Sequence, residues 1–371
     1  MDKLYIPNSI FITGIAGFIG FHLAEKLIAE GYDVSGIDNF NDYYDPKLKR
    51  NRAAMLRSID VQIYENDIET VDWEFLEDYD AVIHLAAHAG VRYSLEHPQM
   101  YIDTNISGTQ RLIHRCEELE IPVVYASSSC VDSDLLNPYA WSKFVNEKQF
   151  KSSSLLSAGL RFYTVYGPYG RPDMALGLFA DAMSQGKPID IYNNGDMQRD
   201  FTYIDDIVQG IHIVLENILN QPQENKHEIY NLGTGVSNEL MDYIRCLEDE
   251  LGRVSQKNYL PMHPADIKST LADITKAQAL GYSPNLTIKD GIHMFAKWHK
   301  EYYKETLIPE AEYVHMAKVW YNIYYEINQY GDVNMADYIA IRLAQVIIVV
   351  VFAMGIVGFV QEMILWRIET F

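Results

Sequence analysis

The stretch that most constrains the fold lies near the N-terminus, where a short apolar run, Ser9-Ile-Phe-Ile-Thr13, leads directly into Gly14-Ile-Ala-Gly17-Phe-Ile-Gly20 and a segment of helical periodicity over 18–30. An apolar run of that length ending in glycine reads as a buried strand, and the 3.6-residue pattern after it as an amphipathic helix. Glycines between the two let the backbone turn sharply and approach a bound group closely. The amides and dipole of the helix N-terminus then favour an anion such as a pyrophosphate. Gly14, Gly17, Phe18, Ile19 and Gly20 are therefore the first candidate binding residues, on a GxxGxxG spacing.

A second apolar strand over 33–37 ends at Asp38, whose carboxylate can accept both hydroxyls of an adenosine ribose and would repel a ribose phosphate, which favours NAD over NADP. Further strands are predicted at 61–64, 81–85, 122–126 and 158–162, with helical stretches between them. Strands alternating with helices imply an α/β chain with a parallel, doubly wound sheet. Such a sheet binds its ligand beyond the carboxyl ends of its strands, which adds Asp67 and Ile68 after the third strand and Leu85, Ala86 and Ala87 at the end of the fourth.

Tyr139-Ala-Trp-Ser-Lys143 carries the chemistry. A tyrosine and a lysine four residues apart share one helical face, and an ammonium beside a phenol favours the phenolate, so Tyr139 is expected to act as a base near neutral pH. Ser127, Ser128 and Ser129 follow the fifth strand. The chain of 371 residues carries a formal net charge of −21, and no basic patch offers phosphate neutralisation for a nucleic acid. Cys116, Cys130 and Cys246 are too few and too dispersed for a disulfide framework or a zinc site, and the histidines show no metal-ligand spacing, so no metal is expected. The polar stretch 220–226 reads as a loop, and no internal repeat or N-terminal signal sequence is visible.

These segments resemble the extended short-chain dehydrogenase/reductases and, within them, the UDP-glucuronate 4-epimerases. The resemblance runs from about residue 8 to about residue 303. Its carriers are Thr13-Gly-Ile-Ala-Gly-Phe-Ile-Gly20, Asp38-Asn-Phe-Asn-Asp-Tyr-Tyr-Asp45, His84-Leu-Ala-Ala-His-Ala-Gly-Val-Arg-Tyr-Ser94, Thr164-Val-Tyr-Gly-Pro-Tyr-Gly-Arg-Pro-Asp-Met-Ala175 and Met197-Gln-Arg-Asp-Phe-Thr-Tyr-Ile-Asp-Asp206. The glycine turn and the Tyr/Lys pair belong to the whole superfamily, whereas the Asn-Asp-Tyr-Tyr-Asp and Gly-Arg-Pro-Asp-Met-Ala segments look specific to the glucuronate branch.

The resemblance implies a Rossmann-type domain over 1–167, with 200–232 returning to it, a smaller nucleotide-sugar lobe from 168–199 and 233–303, and a C-terminal helical extension over 304–371. It implies bound NAD, a UDP-sugar substrate, a homodimer and a cytoplasmic catalytic domain. Tyr139 would take the proton of the sugar's 4-hydroxyl, Lys143 would lower the tyrosine's pKa and hold the nicotinamide ribose, and Ser128 would bond the reacting oxygen. Asn39 and Asn105 join the cofactor set. Arg92 and Arg199 fall to the nucleotide's phosphates or ribose, with Ser127 beside the sugar. Ser129, Thr164 and Arg171 are the candidates for a glucuronate carboxylate, which must be held because it lies next to the carbon that becomes a ketone.

Two features depart from the family pattern. The connection Ser129-Cys-Val-Asp-Ser-Asp-Leu-Leu-Asn-Pro-Tyr139 is shorter than in the family, and the helix after Lys143 is expected to end early, near 151–154. A lost loop over the sugar pocket would admit water and loosen the hold on a reactive intermediate. Beyond residue 303 the pattern stops, and 343–360 forms an apolar run of about eighteen residues, the length of a membrane-spanning helix, flanked by Arg342, Trp366 and Arg367. A buried packing helix is its alternative reading. For the whole chain the alternatives are another NAD-dependent nucleotide-sugar epimerase or decarboxylase, and a non-catalytic sugar-nucleotide-binding protein.

Overall fold

The computed structural model describes residues 8–132, 137–220, 225–263 and 266–306. Met1–Tyr302 group into one compact unit and Tyr303–Phe371 into a second, of which 303–306 are described. The apolar run at 343–360 lies outside the described residues. Among those that are described, no helix is long and apolar enough to cross a membrane.

The predicted strands form as β1 (Ser9–Thr13), β2 (Asp33–Asp38), β3 (Gln62–Glu65), β4 (Ala81–His84), β5 (Val123–Ser128) and β6 (Ser157–Phe162). Shorter strands follow: β7 (Thr164–Tyr166), β8 (Ile189–Tyr192), β9 (Gln198–Arg199), β10 (Phe201–Tyr203), β11 (His227–Leu232), β12 (Asn238–Glu239) and β13 (Lys257–Leu260). β11 joins the first six in a seven-stranded parallel sheet of order β11-β6-β5-β4-β1-β2-β3, and the rest pair as β10-β7, β12-β9 and β13-β8. The chain runs outward from β1 to β3, then crosses over to β4 and continues the other way. That reversal opens a crevice beyond the carboxyl ends of β1 and β4.

Side-chain alternation on the strands sorts the interior into two layers, one on each face of the sheet. Ile10 and Ile12 enter a layer that includes Leu23, Ala24 and Leu27 of α1 (Phe18–Ala29). Phe11, between them, enters the opposite layer with Ile37, Val82, Val123 and Tyr125. On the first layer's side lies α2 (Pro46–Arg57). After β4 come α3 (Val91–Glu96) and α4 (Pro98–Met100), then wide π-type turns over Tyr101–Gly108. α5 (Thr109–Leu119) and α6 (Pro138–Ser152) cover the second layer with Leu112, Ile113, Cys116 and Phe150. The end of α6 at Ser152 agrees with the early stop expected from the serine run.

α6 is unusual in that its inner face is polar: Ser142, Lys143, Asn146 and Glu147 are all buried. Burying such groups is unfavourable unless each finds a hydrogen-bond partner. The pairings that satisfy them build the site.

Candidate active site

A cavity of about 880 Å³ occupies the crevice, lined by the glycine turn, the ends of β2, β4 and β5, the start of α6 and the segments around β7 and β9. Gly14 has φ +73°, and a Cβ there would lie 2.9 Å from the Ala86 nitrogen, so only glycine lets the turn press against the end of β4. A Cβ on Gly20 would run into the Gly14 carbonyl oxygen. α1 starts without a side-chain cap, and its first residues Phe18, Ile19 and Gly20 line the cavity. Their amides are the ones a helix leaves unpaired, which suits an anion. Beside them, Asp38 accepts from the amides of Phe40 at 2.9 Å and Ala16 at 3.1 Å. Burial raises its pKa, opposed by those two bonds and by the nearby charges of Lys49 and Arg52.

The loop after β4 is set by a buried relay. Thr13 Oγ1 accepts from the Leu85 and Ala86 amides, both at 3.1 Å, which leaves its proton for His84 Nδ1 at 2.7 Å. His84 then carries its own proton on Nε2 and donates to Thr109 Oγ1 at 2.9 Å. Burial, and secondarily the Lys143 charge, lowers the His84 pKa to about 3, so the ring stays neutral. Leu85, Ala86 and Ala87 thereby line the cavity.

α6 begins at Asn137, whose side chain accepts from the Ala140 amide at 2.8 Å, with Pro138 preset for the first turn. This start delivers Tyr139 into the cavity beside Ser128 at the end of β5. The electrostatics differ from the sequence expectation. Burial, followed by the nearby Cys130, pushes the Tyr139 pKa up to about 12, and the Ser128 hydroxyl and Arg171 only partly oppose this. Lys143 instead donates to the Ala126 carbonyl at 2.9 Å, and its own burial lowers its pKa to about 8. Shared helical spacing put the two side chains on one face, but the lysine's length carries its ammonium to the strand.

The expected cations of the lining are already engaged. Arg171 grips Asp173 through Nε at 3.0 Å and Nη2 at 2.6 Å, and Tyr43 donates to the same carboxylate at 3.0 Å. Arg92 pairs with Asp266 at 2.7 Å and lies over the Tyr192 ring at 4.0 Å. Arg199 donates to the carbonyls of Gln198 at 2.7 Å and Lys268 at 3.0 Å. Ser129, Thr164 and all three arginines line the cavity.

Three expected contacts are altered by this packing. Ser127 lines the cavity but donates its proton to Glu147 at 2.6 Å, so it faces a ligand as an acceptor. Asp67 stands behind Asn39, accepting from its side-chain amide at 2.8 Å, and it is Asn39 that lines the cavity with Ile68. Asn105 is fully buried, bonded to the His88 carbonyl at 3.0 Å, the His88 amide at 2.8 Å and Ser142 at 2.9 Å. It clamps the β4 loop to α6 and stands outside the lining.

Comparison with known proteins agrees with this geometry. The model of the NAD dependent epimerase/dehydratase family matches residues 10–233. The chain belongs to that family. It is 41% identical over 333 residues to an uncharacterised 37.6 kDa protein of Escherichia coli O111:H-, covering 79% of this chain and 98% of the other. It is 38% identical over 322 residues to a UDP-glucuronate 4-epimerase of Thermodesulfobacterium geofontis, covering 78% and 95%. Among solved structures, UDP-glucuronic acid 4-epimerase of Bacillus cereus, crystallised with UDP-glucuronic acid and NAD, superposes with a TM-score of 0.73 at 34% identity, covering 79% of this chain and 99% of that one. This protein is accordingly an NAD-dependent nucleotide-sugar epimerase of the extended short-chain dehydrogenase/reductase group.

Sequence reasoning missed several of its lining and supporting residues. Lys49 lines the cavity with two of its protons on Asn41, and Arg52 is fully buried, donating to Ala16, Tyr44 and Tyr169. Their i, i+3 spacing directly after Asn-Asp-Tyr-Tyr-Asp was the available signal. Tyr43, Asp173 and Tyr192 carried no signal beyond their motifs or neighbours.

Proposed function

We propose that this enzyme interconverts UDP-glucuronate and UDP-galacturonate through a 4-keto sugar. The observation that carries the reading is that one cavity gathers Ser128 and Tyr139 with the cluster of Tyr43, Asp173 and Arg171. That cluster joins the two segments that resemble the glucuronate branch, which lie 130 residues apart. The named relatives add support, among them a tyrosine-to-phenylalanine variant of the Bacillus cereus enzyme crystallised with a 4-fluoro analogue of UDP-glucuronic acid and NAD.

NAD fits the glycine cradle, the open start of α1 and the Asp38 carboxylate, and when bound it supplies the acceptor and then the donor of a hydride. Asp38 and Asn39 are assigned to its adenosine ribose, and Lys143 to its other ribose, using the protons left over from the Ala126 bond. Tyr139 accepts the proton of the sugar's 4-hydroxyl and later returns it. Ser128 and the Arg171 charge favour the phenolate against the burial that disfavours it. Ser129, Thr164 and Arg171 hold the carboxylate, Arg171 by exchanging Asp173 for the substrate. Arg92 and Arg199 take the diphosphate. The adjoining proposals are a homodimer and membrane association through 343–360, read by light scattering and by fractionation of the full chain against a chain ending before Leu343.

Purified protein incubated with UDP-glucuronate, its products resolved by NMR, tests the main reading. UDP-galacturonate should accumulate with wild type. With Tyr139→Phe the rate should fall about 10²- to 10⁴-fold, the usual contribution of a positioned base, while bound NAD stays at the wild-type level. Conversion of UDP-glucose in preference to UDP-glucuronate would overturn the uronate assignment.

A further inference from the structure

Glu147 and Arg161 are charged, largely enclosed and unused by the mechanism above. Glu147 lies on α6 at i+8 from Tyr139 and i+4 from Lys143, on the same helical face. Arg161 lies on β6, directly opposite Ser127 in the parallel register. Its guanidinium forks onto Glu147 through Nε and Nη2, both at 2.8 Å, and its third nitrogen binds Asp132. Glu147 also accepts the Ser127 proton at 2.6 Å. One side chain thus ties together strand β6, helix α6, the end of β5 and the single turn Ser129–Asp132. These are the parts that flank the short connection from Ser129 to Tyr139.

We propose that Arg161 is a positioning residue for the epimerisation: through Glu147 and Asp132 it sets the end of β5 against the start of α6, and so fixes where the Ser128 hydroxyl stands relative to the Tyr139 phenol. A buried ion pair is a poor source of stability but a good source of unique geometry, because its attraction survives only in one arrangement. Arginine suits the task because its planar fork serves two carboxylates at fixed angles, which a lysine cannot do. Helix α6 is thereby held against rotation about its axis, since Glu147 and Tyr139 move together. Of the other groups facing the phenol, Cys130 lies in the turn that Arg161 holds through Asp132 and is positioned with it, whereas Arg171 and Tyr101 lie on separate segments and are not linked to Arg161 by these bonds.

The inference rests on the roles given to Ser128 and Tyr139, so its test includes a readout independent of any substrate. In NAD-loaded protein with ¹³Cζ-labelled tyrosine, the Tyr139 resonance, assigned by its loss in Tyr139→Phe, reports the immediate surroundings of its phenol. Arg161→Lys should move that resonance away from its wild-type position, because the Ser128 hydroxyl shifts relative to the phenol. On the UDP-sugar that wild type turns over, the same variant should lower kcat about 10- to 100-fold, the scale of a small misplacement of reacting groups. KM should stay within about twofold, since uniform binding is untouched. The acidic limb of the kcat profile should move to higher pH, because a displaced Ser128 hydroxyl no longer favours the phenolate. An unmoved resonance overturns the proposal, as does a loss of kcat with an unshifted profile. Should Arg161→Lys not fold, Asp132→Asn breaks one arm at a half-exposed carboxylate, and a resonance that stays in place there overturns the proposal equally.

Discussion

The two ends of the cavity recognise charge in opposite ways. At the cofactor end, the anion site is made of backbone: a glycine turn pressed on the end of β4 and the uncapped start of α1, with Asp38 held by two amides. At the sugar end it is made of side chains, and Arg171 and Arg92 are each already bonded to a carboxylate of the protein, Asp173 and Asp266. Backbone amides cannot rearrange and need no counter-ion, so that end is built once and holds its group. Paired arginines must give up a partner to take a ligand, which makes binding there an exchange. Exchange suits a substrate that comes and goes and whose sugar must turn within the pocket.

The comparison breaks most severely at Gly20. Gly20→Ala puts a methyl into the Gly14 carbonyl, where neither backbone can yield cheaply, and should destabilise the protein by about 1–3 kcal/mol, the range for overpacking. NAD should be absent from the purified variant and activity lost. Retention of NAD at the wild-type level, measured on protein denatured after desalting, would show that the cradle is less rigid than described.

Lys143 sits at the junction of the two ends and should trade stability for function. Its pKa is about 8 in the fold against 10.5 in the unfolded chain. Below pH 8 both states carry the proton, and the buried ammonium penalises the fold in full. Between pH 8 and 10.5 the unfolded chain binds more proton, so stability rises with pH, and above that window the penalty is gone. Lys143→Met should therefore be inactive yet more stable at pH 7 by about 1–3 kcal/mol, after allowing for the lost bond to Ala126. The gain should fade as pH approaches 10.5. Denaturant melts at pH 7 and pH 10 check the sign, and an equal effect at both would refute the assigned titration.

The smallest effect is expected at Asp173. Asp173→Asn removes the charge that Arg171 must surrender and keeps the shape, so KM for UDP-glucuronate should fall by up to about tenfold, equivalent to some 1.4 kcal/mol, with little change for UDP-glucose. Equal changes for the acidic and the neutral sugar would mean that Arg171 does not meet the carboxylate.

What could be read from the chain follows the same division. The strand, glycine turn and helix at 9–30, the carboxylate at Asp38 and the Tyr139/Lys143 spacing are local patterns, and each element was recognisable within a few residues of its place. The sugar end was legible only as a set of residue types. Nothing in the spacing of Ser127 announced that its proton goes to Glu147, and at the cofactor end nothing near Asn105 showed that its amide is consumed by His88 and Ser142. The expected lowering of the Tyr139 pKa by Lys143 failed for the same reason: helical spacing sets which face a side chain leaves from, but not where a long side chain ends.

By itself the sequence determined the order of strands and helices, the parallel sheet and the cofactor end of the site. Backbone conformation there depends on glycine, on apolar periodicity and on charge at a strand end, all of which act over one or two turns of chain. Only the tertiary structure decided the protonation and partners of the reacting groups. Those depend on burial and on contacts between segments such as Tyr43 and Asp173, or Glu147 and Arg161, which become neighbours through sheet register and crossover connections. Desolvation acts at the scale of the packed interior, and no stretch of chain read alone contains it.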